Sequence, residues 1–117
     1  MKPRTVILPE ILESNLLALQ ELCTKHRVQY LWVFGSVLTD DFTKDSDIDF
    51  LYTLDEKNLS DEEYLDNYYS LEASLKKLMG RNIDFVHYPS LKNPYFLKSV
   101  EATKILLYAQ RPEEVPL

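Results

Sequence analysis

VQYLWVFGS at residues 28–36, followed by DIDFLY at residues 47–52, decides the fold. Residues 28–34 carry no charge and are mostly aromatic or β-branched, which predicts a central strand covered on both faces. This strand ends at Gly35. Residues 47–52 begin with alternating acidic and apolar side chains, which predicts a second strand with one polar face.

The flanking sequence predicts three helices and two further strands. The helices cover residues 10 to about 26, a segment between Ser60 and Gly80, and a short segment ending near residue 103; the strands cover residues 82–87 and 104–108. Ser60 and Glu63 have the spacing of a capping box, and Gly80 stands where a helix commonly ends. The order predicts an α+β fold, with a mixed sheet of about four strands and helices packed on one face.

Length and composition limit the classes of protein to be considered. The 117 residues are 45% hydrophobic, which suffices for the core of one domain spanning residues 1–117. No apolar run approaches the roughly 20 residues that cross a bilayer, and no secretory signal is apparent, so we expect a cytoplasmic protein without membrane contact. The net charge of −6 disfavours stand-alone nucleic-acid binding, which usually needs a basic stripe. We expect the tail, residues 111–117, to be frayed.

Gly35 and Ser36 form a candidate anion-binding corner at the end of the first strand. Backbone N–H groups at such a turn point outward, and glycine leaves space where a phosphate must approach. The Ser36 hydroxyl adds a hydrogen-bond donor. Gly-Ser pairs also occur in ordinary turns, so this pair indicates a phosphate site only in combination with other residues.

Asp47, Asp49 and Asp84 are the candidate metal ligands. Asp47 and Asp49 are two positions apart in a predicted strand, so their carboxylates point to the same side. Carboxylate oxygens suit Mg²⁺ or Mn²⁺, whereas the alternative interpretation is a solvated strand face. Ile48-Asp49-Phe50 is repeated as Ile83-Asp84-Phe85. If the two strands are neighbours, Asp84 joins the other carboxylates, as two-metal phosphoryl chemistry requires.

Gly35-Ser36, ten intervening residues and Asp47-x-Asp49 together resemble the signature of the DNA polymerase β-like nucleotidyltransferase superfamily. The segment from Ser99 to Tyr108 also resembles the closing helix and strand of small bacterial members. The resemblance implies the polymerase β palm-like nucleotidyltransferase fold and covers nearly the whole chain.

The resemblance also implies roles for the candidate residues. Gly35 and Ser36 would hold the β- and γ-phosphates of a nucleoside triphosphate, expected to be ATP, and Asp47 and Asp49 would bind two Mg²⁺ ions. Asp84 would bind the catalytic metal and help to activate the acceptor hydroxyl. A nucleoside monophosphate, expected to be AMP, would be transferred and pyrophosphate released. Apart from the resemblance, Lys44 is the basic residue of the intervening segment and a candidate contact of the nucleotide.

The short chain is similar to the minimal nucleotidyltransferases, which act as antitoxins beside helical HEPN proteins and adenylylate a tyrosine of that partner. The resemblance therefore implies a HEPN-type protein partner, and the sequence leaves homo-oligomerisation open. Family members commonly place Arg after Gly-Ser, whereas this chain has Val37. The alternative function is a non-catalytic nucleotide- or partner-binding module that neutralises its partner by masking a surface.

Overall fold

A four-stranded mixed sheet forms the centre of the fold. The structure is a computed structural model that describes residues 8–111. The strands are β1 (Val28–Phe34), β2 (Ile48–Leu54), β3 (Ile83–His87) and β4 (Ile105–Ala109). Their order is β3-β2-β1-β4; β1 is antiparallel to β2 and β4, whereas β2 and β3 are parallel. The predicted α+β class with about four strands is confirmed, and all but the first residue of the predicted frayed tail lies outside the described residues.

Four helices accompany the sheet within the described residues. They are α1 (Glu10–Glu13), α2 (Leu16–Lys25), α3 (Asp61–Met79) and α4 (Pro94–Thr103), with short 3₁₀ turns at Gly35–Leu38, Glu56–Asn58 and Tyr88–Ser90. None of the helices described is long and apolar enough to cross a membrane.

The single helix predicted for residues 10–26 is divided into α1 and α2. The break lies at Ser14 and Asn15, where the Asn15 side-chain amide donates to the Ile11 carbonyl oxygen at 2.8 Å. Ser and Asn side chains compete with the helix backbone for hydrogen bonds, which explains why the apolar repeat continues through a broken helix.

Helix α3 carries the chain from β2 to the parallel strand β3. The predicted capping box is confirmed: the Glu63 N–H donates to the Ser60 hydroxyl oxygen at 3.2 Å, and the Ser60 N–H donates to the Glu63 carboxylate at 3.1 Å. The hydrogen bond from the Ser60 backbone is the main cause of a lowered pKa of Glu63. Gly80 ends the helix in the left-handed conformation, with φ of 67°.

The two faces of the sheet are covered differently. One face packs against α1, α2 and α3 and forms the main core. On the other face, Val100 of α4 packs with Phe34 and Leu51 in a second, smaller cluster. The prediction of helices on one face therefore holds for the first three helices, whereas α4 lies on the opposite face. Phe34 and Leu51 are the reason, because these apolar side chains on that face must also be removed from water.

Candidate active site

The turn after β1 requires glycine at position 35. Gly35 has φ of 80°, a conformation that residues with a Cβ rarely adopt. A Cβ at this position would also lie 2.1 Å from the Oδ2 atom of Asp49. Both the backbone conformation and the close approach of the carboxylate therefore exclude a larger residue.

Asp49 lies directly beside this turn because of the β1–β2 register. Phe34, the residue before Gly35, is the cross-strand partner of Asp49. The Ser36 backbone lies close enough to the Asp49 carboxylate to lower its pKa. The turn thus offers an outward backbone donor next to a carboxylate, which is the arrangement a phosphate with a bridging cation can occupy.

Asp84 is brought beside Asp49 by the pairing of β2 with β3. The two Ile-Asp-Phe segments are in register, so Ile48 pairs with Ile83, Asp49 with Asp84, and Phe50 with Phe85. Side chains of paired residues in register point to the same face of a sheet. The condition set by the sequence, that these strands be neighbours, is met by a direct pair. Asp84 is exposed at this position.

The negative charges of Asp84 and Asp47 both act on the carboxylate of Asp49. Burial is the largest cause of its raised pKa, and the negative charges of Asp84 and Asp47 raise this pKa further. The nearby backbone of Ser36 lowers this pKa. Asp47 itself is exposed and immediately precedes β2. Asp49 is therefore half-buried, and two nearby acids disfavour its charged form.

A closed metal cage is not formed by these side chains. Within residues 8–111, no group of three or more His, Cys, Asp or Glu side chains has an arrangement that would hold a metal ion. Asp49 instead faces the Ser36 N–H and the Gly35 turn. The assignment of Asp47, Asp49 and Asp84 as metal ligands stays a prediction.

The other two positions singled out in the sequence behave differently from each other. Lys44 is exposed in the segment between the turn and β2, and its assignment to the nucleotide also stays a prediction. Val37 is only 3% exposed, and its side chain belongs to the main core. In this chain position 37 therefore stabilises the fold, and its side chain is not available to a ligand.

Arg81 is a residue near the site that the sequence analysis missed. It lies between Gly80 and β3, is half-buried, and donates to backbone carbonyl oxygens of the segment that leads into Asp47. The only sequence signal is a basic residue directly after a helix-ending glycine and before a predicted strand, which is too common to predict such contacts.

Solved structures with this fold include several nucleotidyltransferases. A structure described as a candidate minimal nucleotidyltransferase aligns with a TM-score of 0.66 and 27% identity, covering 87% of this chain and 98% of that one. A toxin–antitoxin structure with AMP-PNP has a TM-score of 0.62 and 18% identity, covering 85% and 77%. An AMPylated Shewanella oneidensis HEPN toxin in complex with its MNT antitoxin has a TM-score of 0.56 and 16% identity, covering 87% and 76%. At these identities the last two alignments show the fold alone.

Sequence comparison identifies the family. A Methanocaldococcus jannaschii protein described as a candidate protein adenylyltransferase is 37% identical over 78 residues, covering 66% of this chain and 74% of the relative. A family model described as polymerase beta, nucleotidyltransferase matches residues 18–113. Since this match spans most of the chain and includes the turn and both acidic strands, the chain belongs to the polymerase beta nucleotidyltransferase family.

Proposed function

We propose that this protein transfers AMP from ATP to a hydroxyl group of a HEPN-type partner protein, in a reaction that requires Mg²⁺. The single observation that carries the proposal is the position of Asp49, which lies against Gly35, is close to the Ser36 backbone and pairs in register with Asp84. The Gly35–Ser36 turn, which can donate to a phosphate, therefore lies on the same face of the sheet as the carboxylates of Asp49 and Asp84, which can bind cations.

The donor set fits Mg²⁺ by its chemistry. Asp47, Asp49 and Asp84 supply hard carboxylate oxygens. Burial is the largest cause of the raised pKa of Asp49, and repulsion by Asp84 and Asp47 is the next. A cation bound between the carboxylates relieves this repulsion. Mg²⁺ usually takes its remaining ligands from water and substrate phosphates, so an open arrangement of exposed acids suits it. Two bound ions would supply positive charge to the triphosphate and to the attacking oxygen.

The residues of this chain bind the nucleotide and accept a proton. The Ser36 N–H, which lies close to the Asp49 carboxylate, would donate to a phosphate oxygen together with the Ser36 hydroxyl. Lys44 would oppose part of the triphosphate charge. Asp84, exposed at the edge strand, would accept the proton of the acceptor hydroxyl. The acceptor oxygen then bonds to the α-phosphorus, and the bond from that phosphorus to the pyrophosphate oxygen breaks.

A protein acceptor is supported by the exposure of the site and by the related structures. Asp84 is exposed and β3 is an edge strand of the described sheet, so a side chain of a docked partner can reach it. One structure with this fold is described as an AMPylated HEPN toxin bound to its MNT antitoxin. The archaeal relative is described as a candidate protein adenylyltransferase.

Label transfer tests this function directly. The protein is incubated with ATP labelled at the α-phosphate, Mg²⁺ and a HEPN-type protein from the same genome, and the partner is then analysed by gel and by mass spectrometry. We expect a label on the partner that disappears with Asp49→Asn or with excess chelator. A label that persists in both conditions contradicts the proposal.

A second candidate function, a module that masks its partner without transfer, is favoured by one observation. Tyr95 and Phe96 of α4 are 86% and 41% exposed, and Phe96 packs against Phe34 at the end of β1. An exposed aromatic pair is typical of a protein interface. Complex formation without label transfer, unchanged by Asp49→Asn and weakened by Tyr95→Ala, would favour this function.

A further inference from the structure

Arg81 lies outside the carboxylate cluster but contacts the segment that leads into Asp47. Its Nη1 atom donates to the carbonyl oxygen of Thr43 at 3.1 Å and to that of Ser46 at 3.0 Å. Its guanidinium also lies over the ring of Phe42, 4.5 Å from the centroid. One side chain therefore holds this segment at three points.

The internal hydrogen bonds of the segment set its shape. The Thr43 N–H donates to the Ser46 hydroxyl oxygen at 3.0 Å, and the Ser46 N–H donates to the Thr43 carbonyl oxygen at 3.1 Å. Such bonds close the turn but do not attach it to the neighbouring strand. The attachment comes from Arg81 and from the Ile48 N–H, which donates to the Asn82 carbonyl oxygen at 3.2 Å.

We propose that Arg81 is a positioning residue that fixes Asp47 relative to Asp84 and thereby organises the metal site; this inference rests on the proposed function. The Ser46 carbonyl belongs to the peptide that joins Ser46 to Asp47, so a bond to that oxygen fixes the point from which the Asp47 side chain starts. Asp47 is exposed, and an exposed side chain keeps a defined position only if its backbone is held.

The planar guanidinium is suited to this task. It lies over the Phe42 ring while its in-plane hydrogens reach two carbonyl oxygens. Both hydrogen bonds come from Nη1, and an ammonium nitrogen could also donate to two carbonyl oxygens. It has no plane to stack on the Phe42 ring, so Lys reproduces at most two of the three contacts. A site organised by charge alone would accept Lys, whereas one organised by geometry would not.

The test compares Arg81→Met, Arg81→Lys and Arg27→Met in the full chain. Arg27→Met is the matched control, because Arg27 also donates to a loop carbonyl oxygen, that of Asn58 at 3.4 Å, in a different loop. Mn²⁺ binding to the protein alone is measured from the electron paramagnetic resonance signal of free Mn²⁺, which does not depend on transfer activity. Thermal unfolding of each variant is recorded in parallel.

We expect Arg81→Met to weaken Mn²⁺ binding by about 10-fold, the effect usual for a residue that supports a metal ligand. Arg81→Lys should recover less than half of this loss on a logarithmic scale, and Arg27→Met should bind like the wild type. Wild-type affinity in Arg81→Met, an equal loss in Arg27→Met, or full rescue by Lys would overturn the inference. Asp49→Asn separates the two proposals: if it abolishes binding while Arg81→Met does not, only the positioning role fails. Absence of Mn²⁺ binding to the wild-type protein alone rejects the positioning role but not the transfer reaction, because ions that take ligands from substrate phosphates can still bind together with ATP.

Discussion

Ile48-Asp49-Phe50 and Ile83-Asp84-Phe85 are identical tripeptides in neighbouring strands, paired residue by residue, yet their environments differ. The first lies in β2, with a strand on each side, and its Ile and Phe are 0% exposed. The second lies in the edge strand β3, and its Ile and Phe are each 9% exposed. The same local pattern thus gives a half-buried acid in one strand and an exposed acid in the other.

The difference shows how strand position assigns different chemistry to equal residues. Asp49 has β1 and the Gly35 turn beside it, so its carboxylate is partly removed from water and its pKa rises, chiefly through burial. Asp84 has no strand on its outer side in the described sheet, which leaves it open to an acceptor. We therefore expect substitutions of the two acids to affect different steps.

The largest effect is expected for Asp49→Asn. Loss of the central carboxylate removes charge that holds the metal ions, and about 4 kcal/mol of lost transition-state stabilisation corresponds to roughly 10³-fold slower label transfer. Nucleotide affinity in the presence of Mg²⁺ should fall as well, measured by calorimetry with a non-hydrolysable ATP analogue. Asp66→Asn, an exposed acid on α3, is the control and should be unchanged. Equal rates in both variants would remove Asp49 from the site.

Asp84→Asn should give a smaller and more selective effect. An acid that accepts the proton of the acceptor typically contributes about 10²-fold to the rate. We expect label transfer to fall by at least this factor, and affinity for the ATP analogue with Mg²⁺ to fall less than in Asp49→Asn, because Asp84 is the more exposed of the two proposed metal ligands. If Asp84→Asn reduces nucleotide affinity as strongly as Asp49→Asn, the two acids do not differ in role.

Substitution of Gly35 or Gly80 by Ala tests the close approach of Asp49 to the turn through the free energy of unfolding. Gly35→Ala would bring a Cβ to 2.1 Å from the Asp49 carboxylate in a left-handed conformation, so we expect a loss of about 3 kcal/mol. Gly80→Ala has left-handed strain alone, because no atom lies within 4 Å of the added Cβ, and about 1 kcal/mol is expected. Chemical denaturation measures both free energies of unfolding. Equal losses would contradict the close approach of Asp49 to the turn.

The smallest expected effect is the pH dependence of stability due to Asp49. Its pKa is raised above the ordinary value of 3.8 on folding, chiefly by burial, so its stabilising contribution is complete below that value. This contribution is lost as the pH rises through the raised pKa. Asp49→Asn keeps an oxygen beside the Ser36 backbone without the charge, so its melting temperature should exceed that of the wild type at pH 7, on the order of 2 °C. The difference should vanish near pH 3.5; a constant difference would refute the assignment.

Much of the candidate site could be predicted from the sequence, because short sequence patterns specify the strands and turns that form it. The run of apolar residues that ends at Gly35 predicts a buried strand and a turn, and both are present. The alternation around Asp49 and the capping box at Ser60 likewise predict β2 and the start of α3. The break at Asn15 was not predicted, since a side-chain hydrogen bond can interrupt a helix without disturbing its apolar repeat.

Several contacts between segments far apart in the chain could not be predicted from the sequence. The contacts of Arg81 join residues 35 or more positions apart, and no periodicity in the chain relates them. The position of α4 on the face that carries Asp49 depends on which side chains of β1 and β2 remain uncovered after α2 and α3 have packed. The burial of Val37 also depends on packing between distant segments, because its side chain contacts the main core.

The amino-acid sequence by itself determined three local features. They are a buried apolar strand, a turn that requires glycine because of its left-handed backbone, and two identical Ile-Asp-Phe tripeptides. These follow from steric and solvation preferences that act over a few residues. Only the tertiary structure decided that β3 pairs with β2 in register and lies at the edge, that Asp49 meets the Gly35 turn, and that Arg81 holds the approach to Asp47. Strand order and register depend on packing between segments far apart in the chain, and the final arrangement is the one that buries both apolar faces of the sheet together.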